Sequence, residues 1–488
     1  MNYPVWDVPI FGSGLVIALI AIFHVFISHF AIGGGFYLPI TEMIARRKGR
    51  ADWLAVLKKH AKFFLILTGI FGAVTGVGIW FAIGLANPEA TSTLIHYWVF
   101  AWGIEWVVFI VELSSIAAYY YLWGRISDSL HLKLGWLYAV TAWLSLFLIN
   151  GILTFMLTPG RAWLEAIAAG THQETFVFWA AFFNPTFWPS LFVRTLICLS
   201  QAGVFALVTA SLIDGEKQPE LKTEMVLWAR RWLLPTFLLL PVGLFWYLSN
   251  VPPAHRALLE LGASTIGQGL FTILTRLALV LALSAVATVA TVYLFTSARN
   301  ALGFRLGGAL AVAALAYTTI GSTEMLREML RKPYVIAGHM FSNGVRTSEV
   351  ARFNKEGYLA RSQWVSPEER TKWAVADAIL TTAQERANWA VEVREKNPLL
   401  WQAVTARGEL MFRGQCMACH TLDGYRPMRV FLKGRDRKSV ANLVNILHGY
   451  PENSPYRPFM PPLVGTQPEI EALTDYLAAL VAEKPAKK

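Results

Sequence analysis

FGSGLVIALIAIFHVFISHFAIGGGFYLPI, residues 11 to 40, runs its whole length without a Lys, Arg, Asp or Glu. A helix needs roughly 20 apolar residues to cross the hydrocarbon core of a bilayer, and this stretch exceeds that. Seven further apolar runs of comparable character fall near 63–86, 97–123, 134–157, 187–213, 232–250, 268–296 and 304–323. Eight spans predict an all-α, polytopic membrane helix bundle. The composition agrees, with 55% of the 488 residues hydrophobic and only 15% charged. The formal charge of +11 needs no nucleic-acid partner, because Lys and Arg gather in the cytoplasmic loops of membrane proteins. The expected medium is a lipid membrane.

The loops alternate in charge. Residues 46–50 (RRKGR), Arg125 with Lys133, Arg230 with Arg231, and Arg299 with Arg305 fall on one side, while the opposite loops hold little beyond Arg161 and Arg256. Positive charge marks the inside. An even number of spans then puts both termini outside, in the periplasm of a bacterial inner membrane. The start, MNYPVWDVPIFGSG, has no basic segment ahead of its apolar run, so the first helix is expected to act as an anchor rather than a cleaved signal. From Glu324 onward the sequence turns polar and helix-prone, and Ser366, Pro367 and Glu369 are placed as a capped helix start. The expected organisation is a transmembrane domain over 1–323, a helical connector on the periplasmic side over 324–399, and a small all-α domain over 400–488, ending in the amphipathic EIEALTDYLAALVA.

Residues 414–421 read GQCMACHT. Cys416 and Cys419 are spaced to form thioethers with the two vinyl groups of a haem, and the adjacent His420 can reach the iron from one face. Downstream, Met460 lies in RPFMPPLVG, a loop stiffened by Pro458, Pro461 and Pro462; as a sixth ligand it would raise the reduction potential, as electron-transfer sites need. Met428 in GYRPMRVF is the competitor. The alternative for the Cys pair is a redox or metal site, while Cys198 stands alone in an apolar run. The segment from ARGELMFRGQCMACHTLDG to the last helix resembles a class I cytochrome c domain over about 80 residues, which implies covalent haem c.

Ionisable groups inside spans are costly and default to functional candidates. Here they are His24 and His29 in the first span, Glu105 and Glu112 in the third, Arg194 in the fifth and Arg276 in the seventh. The stretch FHVFISHFAIGGGFYLPITEMIARRKGR, then TGIFGAVTGVGIWFAIG, VELSSIAAYYYLWGRI, NPTFWPSLFVRTL and REMLRKPYVI together resemble the first subunit of the cytochrome bd oxidases in order and spacing, over most of residues 1–340. The resemblance implies that His24 ligates a haem b or haem d of the oxygen-reducing pair. It also implies that Glu112, with Glu105 one residue out of register, serves haem ligation and proton delivery. An eighth-helix carboxylate is a further ligand in that family, and Glu324 and Glu328 lie near that position. Arg276 matches a seventh-helix arginine.

The departures carry as much information. The low-spin haem of the family takes a histidine where this chain has Arg194 and a methionine where it has Ala278. The quinol-binding loop shrinks to NVPPAHRALLELGASTIGQG, and the ninth helix gives way to the connector and the cytochrome c segment. Together these losses remove the entrance for quinol electrons. The resulting expectation is an oxidoreductase of the respiratory chain that takes electrons from a cytochrome c or another periplasmic carrier through haem c and passes them to oxygen. A second membrane subunit is implied by the resemblance. Two other readings stay open: a quinol dehydrogenase sending electrons outward, with His172, His255 and His339 as the available loop histidines, and a non-catalytic membrane anchor for a cytochrome c domain, with Arg194 paired to a buried carboxylate.

Overall fold

The computed structural model describes residues 5–171, 175–257, 280, 283–288, 290–294, 296–297, 299–379 and 398–482. In chain order the described helices are α1 (Gly12–Arg47), α2 (Ala51–Ala86), α3 (Pro88–Tyr97), α4 (Val99–Tyr121), α5 (Asp128–Phe155), α6 (Arg161–Ala169), α7 (Thr175–Phe182), α8 (Phe187–Ser211), α9 (Pro219–Arg231), α10 (Leu234–Asn250) and α11 (Leu306–Leu330). A short antiparallel ribbon, β1 (Tyr334–Ile336) with β2 (Met340–Phe341), follows. Then come α12 (Val350–Glu356), α13 (Tyr358–Arg361), α14 (Pro367–Ile379), α15 (Pro398–Gln415), α16 (Met428–Phe431), α17 (Arg437–Gly449) and α18 (Gln467–Ala482).

The chain is an all-α multi-pass membrane protein. Among the described residues six helices are long and apolar enough to cross a bilayer: α1, α2, α4, α5, α8 and α11. The span expected at 232–250 is the shorter apolar helix α10, and most of the one expected at 268–296 lies outside the described residues, Arg276 and Ala278 included.

Packing separates the chain into two units. One comprises Ile20–Ile79 and Ile95–Arg331, the other Met1–Leu19, Trp80–Leu94 and Lys332–Lys488. In the first, consecutive glycines of α1 each admit a different neighbour. A Cβ on Gly33 would strike the Cys198 carbonyl of α8, one on Gly34 the Phe64 ring of α2, and one on Gly35 would come within 2.7 Å of the Tyr138 ring of α5. Small residues at these points let helix backbones approach closely, which supplies the dispersion contacts that hold helices together in lipid. Within α2 the ladder widens into a π-helical turn at Leu67–Gly72, a distortion that often accompanies functional positions.

In the second unit α15 and α18 cross where Gly408 meets Ala472; a side chain at Gly408 would collide with the Ala472 carbonyl, so the crossing requires glycine. Phe412 and Tyr476 pack beside it with ring centroids 6.0 Å apart. Met411, Phe412, Val440, Val444, Val464, Ile470 and Leu473 form the core. Residues after Lys332 join that core. Glu469, buried at the start of α18, accepts hydrogen bonds from the backbone N–H of Tyr358 and Leu359, both at 2.8 Å, and the Tyr358 hydroxyl donates to the Gly414 carbonyl at 3.1 Å. The start of α1 and the end of α2 belong here too: Trp6 N–H donates to Leu85 O at 3.0 Å and Asn87 Nδ2 to Ser342 O at 3.1 Å.

Candidate functional sites

The CMACH turn continues α15. Cys416 N–H donates to Phe412 O at 2.8 Å, and His420 N–H donates to Cys416 O at 2.9 Å. Helical spacing of three and four residues therefore brings Cys416, Cys419 and His420 to one side of the turn. Both thiols are free, and burial, with Cys419 beside it, pushes the Cys416 thiol up to about 12. The His420 Nδ1 lies 3.2 Å from the Arg426 carbonyl. A carbonyl only accepts, so Nδ1 carries the proton and Nε2 keeps its lone pair. Burial, outweighing the Arg426 carbonyl bond, lowers the His420 pKa to about 4, so the ring is neutral at ordinary pH.

Two methionines, Met428 and Met460, are the candidates to pair with that imidazole. Met428 N–H donates to Thr421 O at 2.8 Å, which ties Met428 to the same strand of chain that carries His420. Met460 sits in a separate loop. Its carbonyl accepts from the Tyr450 hydroxyl at 3.1 Å, and the loop is pinned at Val464, whose N–H donates to Gln415 Oε1 at 2.8 Å and whose carbonyl accepts from Gln415 Nε2 at 2.7 Å. Gln415 immediately precedes Cys416, so one buried amide couples the methionine loop to the attachment turn. The same turn rests on the first residues of α1. Tyr425 N–H donates to Ile10 O at 2.8 Å, a Cβ on Gly424 would collide with that carbonyl, and Gly14 lies against the Ala418 carbonyl.

In the membrane unit, His24 stands against α2 at Gly76, where a methyl group would be 3.1 Å from its Cε1. Its Nδ1 is 3.1 Å from Thr75 Oγ1, whose own proton goes to the Phe71 carbonyl at 2.6 Å. The hydroxyl therefore accepts from Nδ1–H, and Nε2 keeps its lone pair. His29 repeats the pattern: Nδ1 donates to Val25 O at 2.7 Å, and Nε2 is buried without a partner. So does His60 on α2, whose Nδ1 is 2.7 Å from Thr209 Oγ1 and whose Nε2 is likewise buried and unpaired. His60 was not among the candidates named from sequence, since it lies ahead of the apolar run expected over 63–86. Its helical register with the buried Trp53, Val56, Leu57 and Phe64 is the signal that places it inside.

Glu105 and Glu112 lie two turns apart on α4. Ser145 Oγ donates to Glu105 Oε1 at 3.1 Å, while Glu112 Oε1 is buried with no hydrogen-bond partner. Glu42 on α1, also unforeseen, is fully buried yet fully engaged. It accepts from Arg46 Nε at 2.7 Å and the Tyr119 hydroxyl at 2.7 Å, and it contacts His131 Nδ1 at 2.8 Å. Arg194 pairs with Glu324 of α11 at 3.7 Å and bonds Ser190 Oγ at 3.4 Å; Arg327 closes on the same carboxylate at 2.8 Å. Glu328 pairs instead with Arg331. Of the loop histidines, His255 Nδ1 donates to Leu330 O at 2.6 Å and burial lowers its pKa. The His339 carbonyl accepts from Thr347 N–H at 2.8 Å, and His172 lies outside the described residues. Among the described residues no group of three or more His, Cys, Asp or Glu is arranged to hold a metal ion without a prosthetic group.

Residues 13–242 match the family described as cytochrome bd terminal oxidase subunit I. The structure is similar to that of the bd oxidase from Geobacillus thermodenitrificans, with a TM-score of 0.55 and 15% identity, covering 80% of this chain and 97% of that one. At that identity the likeness is one of fold. No curated protein matches the chain.

Proposed function

We propose, from the match of residues 13–242 to the family of cytochrome bd terminal oxidase subunit I, that this chain is a membrane oxidoreductase of that kind, a terminal oxidase fed through a c-type haem. Its organisation is a transmembrane haem domain over 1–323, a connector over 324–399 and a cytochrome c domain over 400–488, the last on the periplasmic side together with the N-terminus. The observation that carries the reading is the seat of the CMACHT turn on Ile10–Gly14, at the first turn of the helix that later carries His24.

The residues fit the groups that the reading requires. Cys416 and Cys419 would bind haem c covalently, and His420 Nε2 and the Met460 sulfur would hold its iron. His24 Nε2 would ligate a haem b or haem d, and Glu324, bracketed by Arg194 and Arg327, is engaged as an ion-pair partner rather than offered as a ligand. Haem at these two places supplies one-electron transfer and, in the membrane, a site where oxygen is reduced. The protein's own part is to position and to supply protons. Gln415 fixes the Met460 loop, Thr75 fixes the His24 ring, and Ser145 hands protons between Glu105 and Glu112. The pair Arg194–Glu324 stands where a low-spin haem of a quinol-fed relative would take its histidine, so electrons need the outer route. A second membrane subunit, a periplasmic cytochrome or similar donor, and oxygen are the partners.

A non-catalytic anchor would also bear an Arg194–Glu324 pair. The readings part at His24, His29 and His60, whose shared tautomer presents Nε2 lone pairs that a scaffold has no use for. The test is a reduced-minus-oxidised and a reduced-plus-carbon-monoxide spectrum of the purified chain with pyridine haemochrome quantitation. A c haem with a CO-reactive b or d haem, followed by oxygen uptake with a reduced cytochrome, supports the oxidase. A c haem alone refutes it.

A further inference from the structure

The surface beside His420 is basic with an apolar centre. Val430 and Phe431, on the short helix α16, are 64% and 53% exposed, and the Phe431 ring stands edge-on to the His420 imidazole at 5.7 Å. The segment 426–438 carries Arg426, Arg429, Lys433, Arg435, Arg437 and Lys438 against the single acid Asp436. Two of these cations are spent internally: Arg429 on Asp423, and Arg437 on Glu471 and Asp475. Arg426 lies over the Tyr425 ring, Arg435 bonds only the neutral Ser439 hydroxyl, and Lys433 and Lys438 are exposed. The Asp436 carboxylate is exposed and caps α17, accepting from Ser439 N–H at 2.8 Å. Backbone bonds from Lys433 N–H to Val430 O and from Arg435 N–H to Leu432 O fold this stretch tightly, so Lys433 and Arg435 stay within a turn of the apolar pair.

We infer that the rim of Arg426, Lys433, Arg435 and Lys438 around Val430 and Phe431 is the docking surface for a small soluble electron carrier with an acidic face. The inference rests on the c-haem reading above and deepens it by naming the donor's chemistry. Charge complementarity selects the partner. Four cations against the single exposed carboxylate of Asp436 leave a net positive rim that attracts an acidic surface and raises the encounter rate, and a small apolar centre with a charged rim suits a brief contact rather than a permanent one. Two apolar side chains on a four-residue helix fall short of the extended amphipathic stripe that membrane-surface binding uses. One electron passes per encounter: the donor is oxidised by one electron, the c-type site is reduced by one, and no proton or group moves.

The experiment uses the purified full chain in nanodiscs and follows reduction of the c haem by stopped flow. The donors are an acidic cupredoxin, the basic mitochondrial cytochrome c, and ascorbate with a small mediator. The expected results are a rate with the acidic donor that falls about ten-fold or more between low and high salt, and a similar loss in Lys433→Glu/Lys438→Glu. The mediator rate should be unchanged, as should all rates in Lys355→Glu, an exposed site elsewhere in the same unit. Equal, salt-independent rates for the wild type and the reversed variant overturn the docking surface while leaving the c haem in place. An effect of the variant that appears only in anionic nanodiscs and vanishes in zwitterionic ones also overturns it, assigning the patch to lipid headgroups. Absence of a c haem by pyridine haemochrome removes the underlying functional reading itself, a different and separately visible failure.

Discussion

Replacing Gln415 by alanine tests the coupling between the attachment turn and the methionine loop. Gln415 and Val464 are both buried, at 5% and 0% exposure, and the amide makes two hydrogen bonds to the Val464 backbone, at 2.8 and 2.7 Å. Truncation leaves a buried N–H and a buried C=O without partners, each costing about 1–3 kcal/mol. If roughly 3 kcal/mol of the total is felt as loosening of the loop, the Met460 sulfur loses about 100-fold in competition for the iron. Titrating the ferric full-length protein with imidazole reads this directly: Gln415→Ala should bind imidazole about 100-fold more tightly, with weakening of the sulfur-to-iron charge-transfer band. Gln415→Glu, which keeps an acceptor for Val464 N–H but loses the donor, should fall between. Unchanged imidazole affinity in Gln415→Ala, in a protein whose Met460→Ala variant does respond, would refute the claim that this amide holds the loop. An unchanged spectrum in Met460→Ala itself would remove Met460 as the ligand.

Four further outcomes are expected. His24→Ala should abolish the CO-reactive membrane haem while the c-haem bands persist, and parallel spectra of His29→Ala and His60→Ala will reveal whether either of these ligand-ready imidazoles holds a haem as well. Gly33→Val should prevent assembly, since its side chain meets the Cys198 backbone rather than a movable side chain; full-length protein of native haem content and melting temperature would contradict the packing. Glu112→Gln should keep all haem spectra but cut oxygen uptake by ten-fold or more, an effect on proton supply of the size expected for a positioned acid or base, whereas Glu42→Gln should lower the yield and melting temperature of the folded protein with little effect on turnover per haem.

Six of the eight expected spans were legible because apolar length alone sets them, while the one at 232–250 is a shorter helix and most of the one at 268–296 lies outside the described residues. Residues 11–40 read as a helix from their lack of charge, and α1 covers them. The CMACH motif could be read directly, since two thiols and an imidazole at fixed spacing carry their own chemistry, and it stands as the proposed haem c site. Other features depend on neighbours distant in sequence. Nothing local to Gly33 names Cys198 as the backbone it must admit, and nothing local to Gln415 points 49 residues ahead to Val464. His60 was hidden by its lysine neighbours, because residues on opposite faces of a helix are adjacent in the sequence. The side-chain tautomers were beyond reach altogether: they follow from which oxygen each Nδ1 meets, the Thr75 and Thr209 hydroxyls or the Val25 and Arg426 carbonyls.

The contrast between Glu42 and Glu112 separates carboxyl groups that hold helices from those suited to move protons. Both are buried in the membrane unit, at 0% and 9% exposure. Glu42 spends both oxygens on Arg46, Tyr119 and His131, joining α1, α4 and α5, while Arg46 also reaches Asp128 at 2.5 Å. A proton could join that carboxylate only by displacing a bond that fixes three helices, so the group is costly to titrate and costly to lose. Glu112 leaves one buried oxygen without a partner, and Glu105 receives a single bond from a serine hydroxyl that can rotate. Gaining or losing a proton there disturbs at most the single bond from Ser145 of α5. A reaction that takes electrons one at a time from outside must gather protons at the same pace, and carboxyl groups without structural duties are the ones able to do so.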